Sequence, residues 1–173
     1  MSLLWSRFQA LLSDRTLTPQ VSVTPTWCLA WGGDAELHEK VTWRDGKIAI
    51  ANVQHTFSPQ ERFVSVGEVW LSNRSQLLYR LDVECSDIQI VAQLWERWGV
   101  QSLSLLEGMF ALAIWDRDRQ ELWLVRDRTG SRTLYYTTAG STRWIARRLR
   151  SLSPYRTDEL DLVALRDYLL VRG

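Results

Sequence analysis

Hydrophobic positions along the chain change period several times, and each change marks an element. Leu4, Phe8, Leu11 and Leu12 recur at helical spacing and predict a first helix that ends near Asp14 and Pro19. Residues 21–31 (VSVTPTWCLAW) are β-branched and aromatic. They predict a strand interrupted at Pro25 and closed by Gly32-Gly33. Residues 41–53 alternate around Asp45-Gly46, a hairpin signal, and residues 62–71 (RFVSVGEVWL) extend a further strand. The spacing then becomes helical. Ser72 is placed to cap a helix through Leu81, with Leu77, Leu78 and Leu81 on one face. The next helix covers 87–98. Ser86 and Gln89 form its capping box, Ile88, Val91, Leu94, Trp95 and Trp98 its buried stripe, and Gly99 its stop.

From residue 108 the period returns to two. GMFALAIWD, ELWLVRD, TLYYT and TRWIA read as short strands. They are parted by Arg117-Asp118-Arg119, by Arg128-Thr129-Gly130 and by Ala139-Gly140, which predicts an antiparallel meander in one sheet over 109–146. A last helix, about 160–171, carries Leu162, Leu165, Tyr168 and Leu169. Strands grouped apart from helices give an α+β class with layered sheets. Three parts are expected: a helical extension at 1–20, a domain at 21–157, and a C-terminal helix at 158–173 leading toward a further domain.

Composition narrows the classes. A chain of 173 residues with 46% hydrophobic and 24% charged residues folds without a staple of disulfide or metal. No run of 18 apolar residues is present, so no membrane span or membrane partner is expected, and the first residues do not read as a secretory leader. Cys28 and Cys85 have neither a disulfide framework nor zinc-ligand spacing, which predicts no metal site and a reducing, cytoplasmic setting. A net charge of +1 argues against a nucleic-acid binder. Ten tryptophans predict an aromatic core. Of 21 basic residues only Lys40 and Lys47 are lysine, and Arg143, Arg147, Arg148, Arg150 and Arg156 lie in a stretch free of acidic residues. That run is a solvated face, a docking surface for another domain, or a binding module for an acidic partner.

Three segments carry a family resemblance: SDIQIVAQLWERWG at 86–99, LEGMFALAIWD at 106–116 and LVRDRTGSRTLYY at 124–136. Together with LSNRSQLLYRL at 71–81, they resemble the class II glutamine amidotransferase domain of asparagine synthetase-like enzymes, a group that includes β-lactam synthetases and lasso-peptide cyclases. The resemblance implies a four-layer αββα sandwich of antiparallel sheets, the Ntn-hydrolase fold. It also implies a synthetase domain as partner, in cis or as a separate chain, and is compatible with a homodimer. ATP and magnesium would belong to that following domain. Nothing here matches its Ser-Gly-Gly-x-Asp-Ser loop, so no cofactor is expected in this chain.

Family chemistry needs a cysteine at the mature N-terminus, whose α-amine acts as the base for its own thiol. The best positional match is Cys28, in WCLAWGG, which is internal and is followed by Leu29. It would be catalytic only after removal of residues 1–27. The family's oxyanion site is an Asn-Gly pair. Counting back from Asn73-Arg74 places the equivalent near Glu68-Val69-Trp70, where Glu68 would repel an oxyanion. The family's substrate-carboxylate arginine should fall near Val53-Gln54-His55-Thr56, where no arginine stands. Asp87 matches the aspartate that holds the glutamine amino group, and it also sits at a helix start where a carboxylate is favoured anyway. Arg126, Asp127 and Gly130 match a turn that the resemblance makes architectural. His38 and His55 are isolated. Arg143, Arg147, Arg148 and Arg150 are the candidates for docking a partner. The reading that emerges is a degenerate amidotransferase domain serving as scaffold of an ATP-dependent amide-forming enzyme. An active glutaminase after processing to Cys28 is the alternative, and an Arg-rich binding module is a second one.

Overall fold

The computed structural model of the chain describes residues 27–53, 55–156 and 163. The helices expected at 1–20 and 160–171 fall outside the described residues, except that Val163 is helical. Nine strands form two antiparallel sheets among the described residues. They are β1 (Cys28–Trp31), β2 (Val41–Asp45), β3 (Ile48–Ala51), β4 (Thr56–Phe57), β5 (Phe63–Leu71), β6 (Gly108–Asp116), β7 (Glu121–Arg126), β8 (Tyr135–Ala139) and β9 (Thr142–Ala146). One sheet has five strands in the order β2-β3-β1-β9-β8, the other four in the order β4-β5-β6-β7. Between β5 and β6 lie two helices, α1 (Arg74–Leu81) and α2 (Asp87–Trp98).

The expected single meander is instead two hairpins in different sheets: β6-β7 closes the four-stranded sheet and β8-β9 the five-stranded one. The burial of β6 explains why. From Phe110 to Asp116 every residue is buried, because one face meets the helices and the other meets the second sheet. Phe110, Leu112 and Ile114 pack with Leu94 and Trp95 under the helices. Ala113 and Trp115 pack with Leu29, Ile48, Ile50, Val66 and Ile145 between the sheets. A strand buried on both faces reads as a continuous apolar run and does not reveal that its neighbours belong to different layers.

The outer face of the five-stranded sheet is covered by a 3-10 segment, Leu149–Tyr155. Its Leu152 and Tyr155 pack on Cys28 and Ala146. Helices, two sheets and this covering segment make the α+β sandwich of antiparallel sheets.

Local signals act as physical chemistry dictates. Gln89 Oε1 accepts from both the Ser86 N–H and the Ser86 hydroxyl at 2.8 Å, which closes the capping box of α2. Helix α1 is entered from Asn73 rather than Ser72. Both residues are turned to the chain before β6: the Ser72 hydroxyl donates to Glu107 O, and the Asn73 amide donates to Leu105 O and accepts from the Glu107 N–H. The buried stripe of α2 runs through Ile90, Val91, Leu94 and Trp95, whereas Ile88 is half-buried and Trp98 is 37% exposed. The helix overshoots the sheet at its last turn, which leaves Trp98 outside, under the Arg80 guanidinium.

Candidate functional site

Cys28 heads β1 between β3 and β9, with Ala51 and Ala146 as its register partners. Its neighbours Trp27 and Leu29 face the core between the sheets, so its own side chain faces outward, beneath Leu152 and Tyr155. It is fully buried. Burial, followed by the nearby Glu39 charge, pushes the thiol up to about 12, with only partial opposition from the Leu29 N–H. A thiol so placed stays protonated and closed off from solvent. Tyr155 locks the cover, donating to Glu39 Oε2 at 2.7 Å and accepting from the His38 N–H at 2.6 Å. Its ring stacks on Trp144.

A separate pocket of about 550 Å3 lies at the far end of β5, lined by Gly67, Glu68, Val69, Trp70, Arg74, Asp87 and Arg132. Cys28 is not part of its lining. The sheet register puts Glu68 on the same face as Val64 and Val66, toward the second sheet. There Arg147, the residue after β9, donates to Glu68 Oε1 at 2.5 Å, and Arg132 stands 4.0 Å from Oε2. The Glu68–Arg147 pair thus ties the two sheets together.

Asp87 is also held by its own chain. Oδ2 accepts from the Leu71 N–H at 2.8 Å, and Oδ1 pairs with Arg74, whose other nitrogen donates to Cys85 O. Both carboxylate oxygens therefore have internal partners.

The glycine of β5 is Gly67, at φ 155°, where an added Cβ would strike Leu112 of the neighbouring strand. The residue before it is Val66, buried between the sheets. The pair that ends in glycine is thus Val66-Gly67, upstream of Glu68-Val69-Trp70, and it contains no side-chain amide. An isolated glycine inside a strand is the signal that would have found it. Trp70 lines the pocket but is 53% exposed, projecting outward instead of filling it.

The Arg126-Asp127-Gly130 turn carries the chain from one sheet toward the other. Asp127 is buried, and its carboxylate accepts from the N–H groups of Ser131 (2.9 Å), Phe110 (3.2 Å) and Arg132 (3.2 Å) and from the Thr129 hydroxyl (2.7 Å). These bonds, the one from Ser131 foremost, hold its carboxyl far below the usual range despite burial. Gly130 sits at φ 67°, a left-handed conformation that strains any residue with a Cβ, and the Arg126 guanidinium lies against it.

Of the docking candidates, Arg147 is paired with Glu68 and Arg143 lies over the Trp31 ring at 5.0 Å, while Arg148 and Arg150 are exposed on either side of the exposed Leu149. His38 packs on Tyr155, and His55 packs on Trp43 and Phe57, its pKa lowered by burial. Neither lines the pocket. Gln54 is not described, and no arginine stands beside it at 53, 55 or 56. The described residues contain no group of three or more His, Cys, Asp or Glu able to hold a metal ion, and no helix long and apolar enough to cross a membrane.

Comparison with known proteins agrees with this architecture. Asparagine synthetase [glutamine-hydrolyzing] 2 of Bacillus subtilis is 36% identical over 67 residues, 39% of this chain and 9% of that protein. Amidase chry2 of Gibberella zeae is 39% identical over 66 residues, 38% of this chain and 10% of that protein. The chain thus matches only about a tenth of the length of these relatives. The glutamine phosphoribosylpyrophosphate amidotransferase of B. subtilis superposes with a TM-score of 0.55 at 19% identity, covering 75% of this chain and 37% of that one. This likeness shows a shared fold. The family described as glutamine amidotransferase domain matches residues 63–172, and the chain belongs to that family, in the class II form built on the Ntn-hydrolase fold.

Proposed function

We propose that this domain no longer hydrolyses glutamine and serves as the scaffold of an asparagine synthetase-like, ATP-dependent amide-forming enzyme. The observation that carries the reading is the separation of thiol and pocket. Cys28 faces the outer side of its sheet, buried and protonated, while the pocket lies toward the opposite sheet with Glu68 held in it by Arg147. Glutamine hydrolysis needs a thiolate and hydrogen-bond donors converging on one carbonyl. Here the nitrogen of Cys28 is acylated by Trp27, a carboxylate lines the pocket, and Val66 precedes the strand glycine.

The partner would be a synthetase domain, in cis or on a separate chain, and ATP and magnesium would be bound there. Arg148, Leu149 and Arg150 offer it an exposed apolar and basic surface. Free Cys28 and Cys85 accord with a cytoplasmic setting.

The test is ammonia release from glutamine by the purified protein, with intact mass measured on the same sample. No ammonia from an intact chain is the expected result. A species that begins at Cys28, releases ammonia and loses this activity on Cys28→Ala would overturn the reading in favour of a processed glutaminase. The scaffold half is tested on the native complex, whose ATP-dependent amide formation should proceed without glutamine. Dependence on glutamine would refute it.

A further inference from the structure

On the helix side of the four-stranded sheet, away from the pocket described above, the geometry points to a binding site for a small organic cation, an alkylammonium group. A cavity of about 400 Å3 opens between the end of α2 and the outer end of β7. Its walls are aromatic: Trp95 and Trp123 meet edge to face with centroids 5.5 Å apart, and Phe63 stands next to Trp95. Trp123 is 40% exposed, so an indole surface remains available to a ligand.

The charges around these rings favour a cation. Glu96 lines the cavity, and its Oε1 is buried with no hydrogen-bond partner among the described residues, while Oε2 accepts from the Gln60 N–H. An unpaired buried carboxylate oxygen is costly and seeks a donor or a positive charge. Glu121 lies two residues from Trp123 on β7 and shares its face. Asp116 is already neutralised by Arg62, at 2.6 and 3.1 Å, and that guanidinium also covers Phe63 at 4.8 Å. The chain itself thus sets a cation on one ring of this cavity and leaves the Trp123 side open. Gly99 and Val100, where α2 ends and a 3-10 segment (Gly99–Leu105) begins, complete the wall. Indole faces and an unpaired carboxylate oxygen together select a positive, partly apolar group and disfavour anions and neutral apolar molecules. Arg119 is the like charge on the rim.

Choline is the probe, with 3,3-dimethylbutan-1-ol as its neutral isostere, each titrated calorimetrically into the full chain at matched ionic strength. Choline should saturate in the millimolar range and the isostere should not. Trp123→Leu should weaken choline binding by about fivefold, the scale of one cation–aromatic contact. Glu96→Gln should weaken it as well, and Arg119→Ala should strengthen it by removing the competing charge. Near-ultraviolet circular dichroism verifies that each variant is folded. Should Trp123→Leu fail to fold, Glu121→Gln takes its place, with weaker binding expected. Equal response to both probes would reduce the site to an apolar crevice and overturn the proposal. So would the absence of saturation by choline, or unchanged affinity in the folded Trp123 and Glu96 variants.

Discussion

The helix-covered sheet and the sheet that carries Cys28 are both antiparallel, yet the chain assembles them in opposite ways. The first is nearly local: β4, β5, α1, α2, β6 and β7 follow one another without interruption from Thr56 to Arg126. The second joins distant pieces, with β1 paired to β3 on one side and to β9 on the other, so that Cys28 faces both Ala51 and Ala146. The local half closes its core with ordinary amphipathic elements. The distant half exists only once β1 has met β9, and its outer face is sealed by the segment Leu149–Tyr155. This difference explains why the resemblance to the family is clearest in the first half and why the fate of the cysteine is decided in the second.

The strongest way to break the comparison is to remove the residue that serves both halves. Trp115 on β6 is 1% exposed in the core between the sheets, and its indole N–H donates to Asp45 at the tip of the β2-β3 hairpin. Trp115→Ala should cost about 3–5 kcal/mol and unfold the protein in a single denaturant transition. Two separated transitions would show that the sheets are independent units.

Leu152→Ala probes the distant half alone. Leu152 is fully buried over Cys28, and its loss should cost about 2–5 kcal/mol. It should also expose the thiol. In the intact protein at mildly alkaline pH, half-buried Cys85 should alkylate first, while Cys28, protonated and covered, reacts at the rate of opening. Rapid labelling of Cys28 in the intact protein, read by peptide mass, would mean that the Tyr155 cover is not closed in solution.

Legibility in the sequence follows the same division. The capping box at Ser86 and Gln89, the Asp45-Gly46 hairpin and strands β5 to β7 could be read because each is specified by residues a few positions apart. The layer change between β7 and β8 could not. Its determinant is the Asp127 carboxylate reaching the N–H groups of Phe110 and Arg132, together with burial of β6 on both faces. At the pocket, Asp87 and Glu68 could be found by position in the chain. Arg147 could not, because its contact with Glu68 depends on stacking of the two sheets. Gly67 was visible as a lone glycine in a strand, yet only the register against β6 shows what it excludes.

Acid titration sharpens the comparison at the junction of the halves. The Asp127 carboxyl lies well below its ordinary value, so folding favours its ionised form. Its contribution to stability is fully present above the unfolded value of about 3.9 and is lost as pH falls from there toward the folded value. Asp116 acts in the same direction: burial alone would raise its pKa, but the Arg62 pair and the N–H groups of Arg119 and Asp118 outweigh it. Asp127→Asn should therefore destabilise at neutral pH and flatten the fall in stability below about pH 4. A variant with an unchanged acid limb would show that Asp127 titrates alike in both states.

The smallest expected effect lies at the limit of the local half, where helical spacing alone is a poor guide. Trp95 and Trp98 share α2 and both match its apolar period, but only Trp95 reaches the sheet, wedged between Phe63 and Trp123. Trp98 stands one turn beyond the packed surface, immediately before the Gly99 stop, with the Arg80 guanidinium 5.1 Å from its ring centroid. An exposed cation–aromatic contact is worth about 0.5–1 kcal/mol, and loss of the covered part of the ring adds to it, so Trp98→Ala should cost clearly less than loss of the buried Trp95 but more than Arg80→Ala. Trp95→Ala should cost about 3–5 kcal/mol, because it leaves a cavity under the helix. Arg80→Ala should reproduce only the cation–aromatic part of the Trp98 effect, and the double variant should be less destabilised than the sum of the two. Equal costs for the two tryptophans in urea denaturation would mean that the last turn of α2 packs inward after all, and the boundary of the local half would have to be moved outward to include it.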